Sequence, residues 1–205
     1  SSDQLDTPGR GFSFQQDGPL DMRMDRTRGP DAAEWVATAA VPEMIRVFRE
    51  FGEEPMASAV ARAIDRERAR EPVLTTLRFA EIVSRAKGGR RGRTHPATQV
   101  FQAVRMAVNR ELESVAAGLA GALDLLAPGG RLAVITFHSL EDRLVKHFFA
   151  AHEGREVSLQ QGGSEWQGDL PRVRRVTRKP VTASDEELAA NPRARSAKLR
   201  TVEKT

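Results

Sequence analysis

The stretch Leu126–Arg143, "LAPGGRLAVITFHSLEDR", carries the clearest fold signal in the chain. Its Pro-Gly-Gly turn leads into a short, apolar, β-branched run over residues 131–137, which predicts a buried strand. The residues that follow have their apolar side chains at helical spacing, and a long helical pattern also precedes the turn. A helix, a strand and a second helix in this order are typical of an α/β fold.

His138 and Ser139, followed by Asp142, raise the question of a hydrolase triad. Side chains of adjacent residues on a turn diverge, whereas triad partners must lie within hydrogen-bonding reach. The chain also lacks a Gly-x-Ser-x-Gly elbow, so we set the hydrolase aside. Ser139 with Asp142 three residues later instead predicts a helix start with Ser139 as its cap. Because open α/β sheets bind ligands at the carboxyl ends of their strands, His138 is either a substrate contact or a local hydrogen-bond partner.

The composition limits the class of protein. The 205 residues are 40% hydrophobic and 29% charged, which is typical of a soluble globular protein. No apolar run approaches the roughly 20 residues that a membrane span needs, so we expect a cytoplasmic protein without a membrane partner. The chain has no cysteine, and its four histidines lack metal-ligand spacing, so we expect no metal site. The opening "SSDQLD" has no initiator methionine and is interpreted as the interior of a longer protein.

Arginine-rich segments stand out although the net charge is only +4. They lie at residues 85–93, 172–179 and 191–200. The guanidinium fork binds phosphate oxygens in pairs, so a nucleic acid is one expected partner. A basic surface that only solvent contacts explains the same charge, and the sequence leaves both interpretations open.

Three regions follow from the local patterns. Residues 1–30 are a Gly-, Pro- and Asp-rich loop, which is too apolar for a plain linker. Residues 31–94 predict a helical module with helices opening at Pro42, at Pro55 and at Thr75 or Thr76. From residue 95 onwards we expect a long helix broken near Asn109, the strand and helix described above, a strand "VTRKPVTA", a short helix "DEELAAN" and a strand "AKLRTVEK". No Gly-rich nucleotide loop follows a strand and opens a helix.

Five blocks in order carry a resemblance to a known family. They are "SSDQLDTPGRGFSFQQDGPLDMRMD", "RTRGPDAAEWV", "HPATQVFQAVRMAVNRELE", "LAPGGRLAVITFHSLEDRLVKHFF" and "NPRARSAKLRTVEK". Together they resemble the MraW family, also called RsmH, of small-subunit ribosomal RNA cytosine-N4 methyltransferases. The resemblance implies S-adenosylmethionine (S-adenosyl-L-methionine) as cofactor and a Rossmann-like methyltransferase domain with an inserted helical domain. It assigns residues 1–30 to a loop at the cofactor and substrate site, 31–94 to the substrate-recognition insert and 95–205 to the remainder of the methyltransferase domain. The first strands and a Gly-Gly-His cofactor loop of the family precede the motif that "SS" at position 1 resembles, so the fold is expected to be partial.

The resemblance also implies site residues. Ser1 and Ser2 match the end of the family's Asp-Leu-Gly-Val-Ser-Ser motif and are the candidate catalytic residues nearest the reacting amine. Gln4 matches a cofactor-binding position. A cytosine amine is a poor nucleophile because its lone pair is delocalised, so correct orientation is expected to supply a barrier reduction on the order of 7–11 kcal/mol.

The substrate base must leave its stack, and aromatic side chains typically receive it. Phe12, Phe14 and Trp35 are the candidate stacking surfaces. A phenylalanine in such a pattern more often packs in the core, so Trp35, which lies in a polar stretch, is the preferred candidate. Asp21 and Arg23 either shape the pocket or touch RNA, or they form an internal salt bridge. The opposite wall of the pocket is assigned to His138, Ser139 and Asp142.

The sequence therefore predicts a methyltransferase that acts on small-subunit ribosomal RNA in assembled or nearly assembled small ribosomal subunits. We expect the 205-residue chain alone to be inactive because the cofactor loop of the family lies outside it. The alternative is a non-catalytic RNA-binding fragment or paralogue of such an enzyme. A homodimer stays open.

Overall fold

A computed structural model describes residues 7–89, 95–158, 163–167 and 171–205. In the two strands at 155–158 and 164–167 only the backbone is described. The chain divides into two compact units, Ser1–Glu111 and Leu112–Thr205. Each unit has its own hydrophobic core, as independently packed domains do.

The first unit is helical. A short 3-10 segment at Pro8–Arg10 precedes α1 (Ala32–Thr38), α2 (Val41–Glu50), α3 (Ala57–Arg68), α4 (Thr76–Ala86) and α5 (Thr98–Asn109). The predicted helical module is confirmed, and its helices begin close to the predicted residues. Pro42 lies in the first turn of α2, and the Thr75 hydroxyl caps α4 by accepting from the N–H of Arg78.

The core of the first unit includes part of the loop that precedes the helices. Leu20 and Met22 are fully buried together with Phe48, Phe79 and Ile64 of the helices. The backbone of the loop is also tied to α1, because the N–H groups of Ala32 and Ala33 donate to the carbonyls of Asp21 and Leu20. The apolar residues of this loop therefore have a packing role that a linker would lack.

The second unit combines helices with a small sheet. It contains α6 (Glu111–Leu125, whose first residue belongs to the other unit), β1 (Arg131–Thr136), α7 (Ser139–Glu153), β2 (Arg155–Ser158), β3 (Ser164–Gln167), β4 (Val173–Arg175), α8 (Asp185–Ala190) and β5 (Lys198–Lys204). The sheet order is β1-β5-β4 with antiparallel pairing, and Arg131 lies opposite Glu203. β2 and β3 form a separate antiparallel pair. The predicted helix, strand and helix of an α/β fold are confirmed, as are the break at Asn109 and the elements at α8 and β5.

β1 corrects one expectation, since it is buried on one face only. Leu132 and Val134 face the core with Val145 and Phe149 of α7, whereas Ile135 on the other face is 60% exposed. Side chains alternate along a strand, and both packed helices, α6 and α7, contribute their apolar residues to the same core. Although the β1 sequence is continuously apolar, the described residues cover only one face of this strand.

The predicted strand at 176–183 is also wrong in its position. The strand ends at Arg175, and further along only Val181 forms an isolated bridge, to Leu199. Pro180 lacks the N–H group that a ladder needs, which explains why regular pairing does not continue through this segment.

None of the helices described has both the length and the apolar character that crossing a bilayer requires. The boundary between the compact units, at Glu111, differs from the predicted boundaries at residues 30 and 94. The compact units follow from packing, whereas the predicted division concerns functional domains and stays a prediction.

Candidate functional site

The residues predicted to lie nearest the chemistry, Ser1, Ser2 and Gln4, fall outside the described residues. Their roles stay predictions. The remaining predicted residues fall into two groups. One group lies in the first unit on the loop and α1, and the other lies in the second unit at the start of α7.

Asp21 forms an internal salt bridge, which is one of the roles that the sequence predicts for it. Its carboxylate accepts from the backbone N–H of Arg23 at 3.1 Å and from the Arg23 Nε at 2.8 Å. Arg26 approaches the other carboxylate oxygen with its Nε at 3.0 Å. Burial by itself would raise the pKa of Asp21, but the hydrogen bonds and charges of the two arginines prevail and lower it. Asp21 is therefore an ionised, internally paired carboxylate at neutral pH.

The turn at residues 21–24, here called the Met22 turn, has a strained backbone that other residues hold in place. Met22 is fully buried and has a φ of 59°, a left-handed conformation that costs a non-glycine residue on the order of 1 kcal/mol. The Asn109 side chain donates from Nδ2 to the carbonyl of Met22 and accepts at Oδ1 from the N–H of Met24, both at 2.7 Å. Arg10 donates to the carbonyls of Arg23 and Met24 at 2.8 and 2.9 Å.

Sequence reasoning missed Arg10 and Asn109 as residues that organise this turn. The sequence pattern marks Asn109 only as the point where a helix breaks. A break leaves an amide side chain at a helix end, where it is able to bind another segment, but the pattern does not reveal which segment. The turn matters because it presents Asp21 and Arg23, both of them candidate site residues.

The three candidate stacking residues are all half-buried and pack against the core of the first unit. The Phe14 ring lies 4.5 Å from the His95 ring and 4.7 Å from Phe101, and Trp35 lies 6.3 Å from Phe48, centroid to centroid. The Arg10 guanidinium lies 5.9 Å from the centre of the Phe12 ring. Core packing is thus present for each ring, while part of each side chain stays accessible. Stacking on a base stays a prediction for all three.

The start of α7 corrects the predicted helix cap. The helix begins at Ser139, and the cap is His138, whose Nδ1 accepts from the N–H of Glu141 at 3.3 Å. The Glu141 carboxylate in turn accepts from the N–H of Phe137 at 2.9 Å, an arrangement similar to a capping box. His138 has the extended backbone of a capping residue, whereas Ser139 already lies inside the helix with an exposed side chain. An imidazole nitrogen therefore replaces the hydroxyl that the pattern favoured.

His138 makes local contacts on both ring nitrogens. Because Nδ1 accepts a backbone N–H, the neutral ring carries its proton on Nε2, which lies 3.1 Å from a carboxylate oxygen of Glu141. This contact is close but not well aligned for a hydrogen bond. Burial raises the pKa of Glu141, but the His138 ring and the Phe137 N–H outweigh it and lower that pKa. Local hydrogen bonding is thus present at His138, and a substrate contact stays a prediction.

Asp142 links α7 to the sheet. It is only 8% exposed and receives two hydrogen bonds from Arg200 of β5, from Nε at 2.7 Å and from Nη2 at 3.1 Å. Lys198 Nζ approaches it at 3.4 Å. The Arg200 hydrogen bond, acting against burial, lowers the pKa of Asp142. Asp142 therefore has a structural partner in the second unit, and its predicted place in the pocket wall stays a prediction.

The described residues do not by themselves form a cradle for S-adenosylmethionine. The glycine pair at Gly129 and Gly130 precedes β1, and the one cofactor position that matches the family, Gln4, lies outside the described residues. We therefore derive no catalytic step through the cofactor.

Comparison with known proteins places the chain in a family. The model of the MraW methylase family matches residues 1–205. The chain is 54% identical over 204 residues to the ribosomal RNA small subunit methyltransferase H of Thermomicrobium roseum. It is 53% and 50% identical over 205 residues to the proteins of the same name from Bordetella petrii and Carboxydothermus hydrogenoformans. These matches cover 100% of this chain but only 63%, 56% and 66% of the three relatives. The mixed α/β fold agrees with part of a Rossmann-like methyltransferase domain, and the chain belongs to the MraW methylase family.

Proposed function

We propose that the protein of which this chain forms a part or the whole transfers a methyl group to the exocyclic N4 amine of a cytidine in small-subunit ribosomal RNA. The observation that carries the proposal is the match of the methylase family along all 205 residues. The names of the relatives supply the substrate class, since each is a ribosomal RNA small subunit methyltransferase. S-adenosylmethionine would supply the methyl group.

The loop and α1 of the first unit would receive the target base. A base that reacts at its exocyclic amine must first leave its stack, and it is then held by ring stacking and by contacts to its polar edge. Trp35, which is half-buried on α1, is the preferred stacking surface, followed by Phe12 and Phe14. The backbone bonds between the Met22 turn and α1 hold Asp21 and Arg23 near the same helix.

The Met22 turn would be preorganised for binding the substrate. A strained turn that is held by Asn109 and Arg10 keeps its geometry before substrate arrives. Asp21 is ionised and paired with Arg23 and Arg26, so its role would be to orient these arginines rather than to exchange a proton. Ser1 and Ser2 would lie nearest the reacting amine and would orient it by hydrogen bonds.

The basic segments would hold the phosphates of the RNA. Phosphate contacts position a nucleic acid without reading its sequence, and they weaken as salt rises. Arg172, Arg174 and Arg178 have exposed positions in the second unit. The proposed partner is the small ribosomal subunit. We keep the division into a site loop at 1–30, a recognition insert at 31–94 and a methyltransferase remainder at 95–205 as part of the proposal.

The test is transfer of radiolabelled methyl groups from S-adenosylmethionine to small ribosomal subunits that lack the modification. This chain is assayed beside the same chain joined to the N-terminal portion expected from the family, and the product nucleoside is identified by mass spectrometry. We expect N4-methylcytidine from the extended protein and none from the chain alone. If neither protein transfers methyl groups although both bind the subunit, the methyltransferase proposal is wrong, and the protein is an RNA-binding relative without catalysis.

A further inference from the structure

A shallow surface depression of about 10 Å³, which has room for one oxygen-sized group, lies between α7, β4 and β5 in the second unit. Its lining consists of Lys146 and Phe149 of α7, Arg175 of β4, Arg200 of β5, and Thr177 just beyond β4. Phe149 is buried and forms an apolar floor. Thr177 is fixed at the side, because its hydroxyl accepts from the N–H of Thr201 at 2.9 Å. No carboxylate is among the lining residues in the described part of the chain.

Two carboxylates behind the lining hold the arginines in place. Asp142 binds Nε and Nη2 of Arg200, and Glu153 contacts Nε of Arg175 at 2.6 Å. Each guanidinium has five N–H donors, so these contacts leave donors on both arginines without a recorded partner among the described residues. Two hydrogen bonds thus orient the guanidinium plane of Arg200, one ion pair holds Arg175, and part of the hydrogen-bonding capacity of both groups is unused.

Lys146 adds a charge that the described residues do not neutralise. Its side chain is exposed, and it has no ion pair among the residues that the structure describes. Three cations line the depression, namely Lys146, Arg175 and Arg200. The carboxylates of Asp142 and Glu153 pair with the two arginines, and Asp142 is also approached by Lys198. Because the pKa of Asp142 is lowered, this carboxylate is ionised at neutral pH. The depression therefore keeps a net positive charge.

We propose that this depression, here called the Lys146 depression, binds a phosphodiester group of an RNA backbone. Guanidinium groups beside an ammonium group suit the oxygens of a phosphate, and the excess of positive charge disfavours the binding of cations. The inference rests on the proposed function for its choice of RNA as the polyanion. Lys146 lies seven residues after Ser139 on the same helix, roughly 10 Å along its axis. A phosphate bound here would hold RNA beside the end of β1, where His138 lies.

The test measures the salt dependence of RNA binding. A short fluorescein-labelled single-stranded RNA is titrated with the 205-residue chain, with Lys146→Ala and with Lys146→Arg, at KCl concentrations between about 50 and 200 mM. The slope of log affinity against log salt is negative, and loss of one phosphate contact decreases its magnitude by about 0.7 for a single strand. We expect that decrease and a several-fold loss of affinity in Lys146→Ala, with recovery in Lys146→Arg.

Arg131→Ala is the matched control, because Arg131 is an exposed cation on β1 that is paired with Glu203. It removes the same unit charge at a residue that lies outside the proposed recognition insert and is not part of the lining of the depression. We expect it to leave the slope unchanged. An unchanged slope in Lys146→Ala overturns the proposal, and so does an equal decrease in both variants, which would show a general effect of net charge.

A second arm separates an RNA phosphodiester from free phosphate. Inorganic phosphate is titrated into isotopically labelled protein while the backbone amide signals of Thr177 and Thr201 are followed by nuclear magnetic resonance. Saturable shifts of these signals without an effect of Lys146→Ala on RNA binding would assign the depression to free phosphate and overturn the RNA proposal.

Methyl transfer by the extended protein is measured in parallel. If methyl transfer occurs but the Lys146→Ala slope does not change, the contact is rejected and the proposed function stands. If the unsubstituted chain binds no RNA and the extended protein transfers no methyl group, the proposed function fails as well.

Discussion

Asn109, the last residue of α5, donates a 2.7 Å hydrogen bond to the backbone carbonyl of Met22, from which it is separated by 87 positions in the sequence. The same amide accepts from the N–H of Met24, so one side chain spans the backbone on both sides of Arg23. The fully buried Met22 side chain and the left-handed φ of that residue would not persist without such support. A helix end thereby determines how a loop presents two candidate site residues.

Replacement of Asn109 by alanine should destabilise the first unit. The change leaves the Met22 carbonyl and the Met24 N–H without their partner, and we expect a loss of about 1–3 kcal/mol in the free energy of unfolding. Urea unfolding measures this loss. Asn109→Asp is the comparison, because it keeps the acceptor for Met24 and removes the Nδ2 donor to the carbonyls of Met22 and Arg105. A loss below about 0.5 kcal/mol in Asn109→Ala would show that Arg10 and packing hold the turn without the amide.

Two substitutions at the start of α7 separate its true cap from its predicted one. His138→Ala removes the acceptor for the Glu141 N–H and should lower stability by about 1 kcal/mol, whereas His138→Asn keeps an acceptor and should restore most of it. Ser139→Ala should change stability by less than about 0.5 kcal/mol, since Ser139 is exposed inside the helix. Thermal unfolding of the three variants gives the comparison. A larger effect at Ser139 than at His138 would reverse the assignment.

Asp142 should make stability depend on pH in the acid range. Its pKa is lower in the folded protein than in the unfolded chain, mainly because of the Arg200 hydrogen bond. The contribution is therefore complete above the unfolded pKa, about 3.9, and it is lost as pH falls through the folded pKa. Asp142→Asn should lower the free energy of unfolding at neutral pH by about 1–3 kcal/mol, and the difference from the unsubstituted protein should shrink below about pH 4.

Denaturant unfolding at a series of pH values measures this difference. Asp124→Asn is a useful control, because Asp124 also pairs with an arginine, Arg172, but has an exposed side chain. Exposed ion pairs contribute little, so its effect should be small at every pH. A constant difference between Asp142→Asn and the unsubstituted protein from acid to neutral pH would contradict the role assigned to the ion pair.

Trp35 provides a direct test of base stacking. If the half-buried Trp35 receives a base on its ring, Trp35→Leu should weaken RNA binding by roughly tenfold, in line with about 1–3 kcal/mol per stacked base. Phe48→Leu is the control, since Phe48 is fully buried against Trp35 and has no surface to offer a base. That variant should lower stability and leave RNA affinity unchanged at temperatures where it is folded. Equal RNA affinity of Trp35→Leu and the unsubstituted chain would assign Trp35 to packing alone.

Local signals predicted much of the secondary structure. Pro42 and Thr75 mark helix starts, the break near Asn109 ends α5, and "AKLRTVEK" covers β5, because these features depend on residues within about one helical turn or on the alternation of one strand. The family was likewise identified from the order of its five sequence blocks, and the family match over the whole chain confirms it.

Local sequence patterns predicted the structure less well where two neighbouring residues could fill the same role. Ser139 has the better capping preference, yet the chain places His138 in the extended backbone that precedes the helix. The apolar sequence of β1 likewise does not show whether one or both faces of the strand are buried. In both cases the result depends on where neighbouring backbone and helices lie, which propensities describe only on average.

The sequence by itself determined the family, the α/β class and most of the helices and strands of this protein, because these depend on local spacing or on blocks that are read directly. Only the tertiary structure decided the pairing of Asp142 with Arg200, the support of Met22 by Asn109 and the donor-lined Lys146 depression. Each joins residues that are tens of positions apart in the chain. Contacts of that kind are selected by the packing of whole elements and by the need of buried polar groups for partners, and neither is contained in a local pattern.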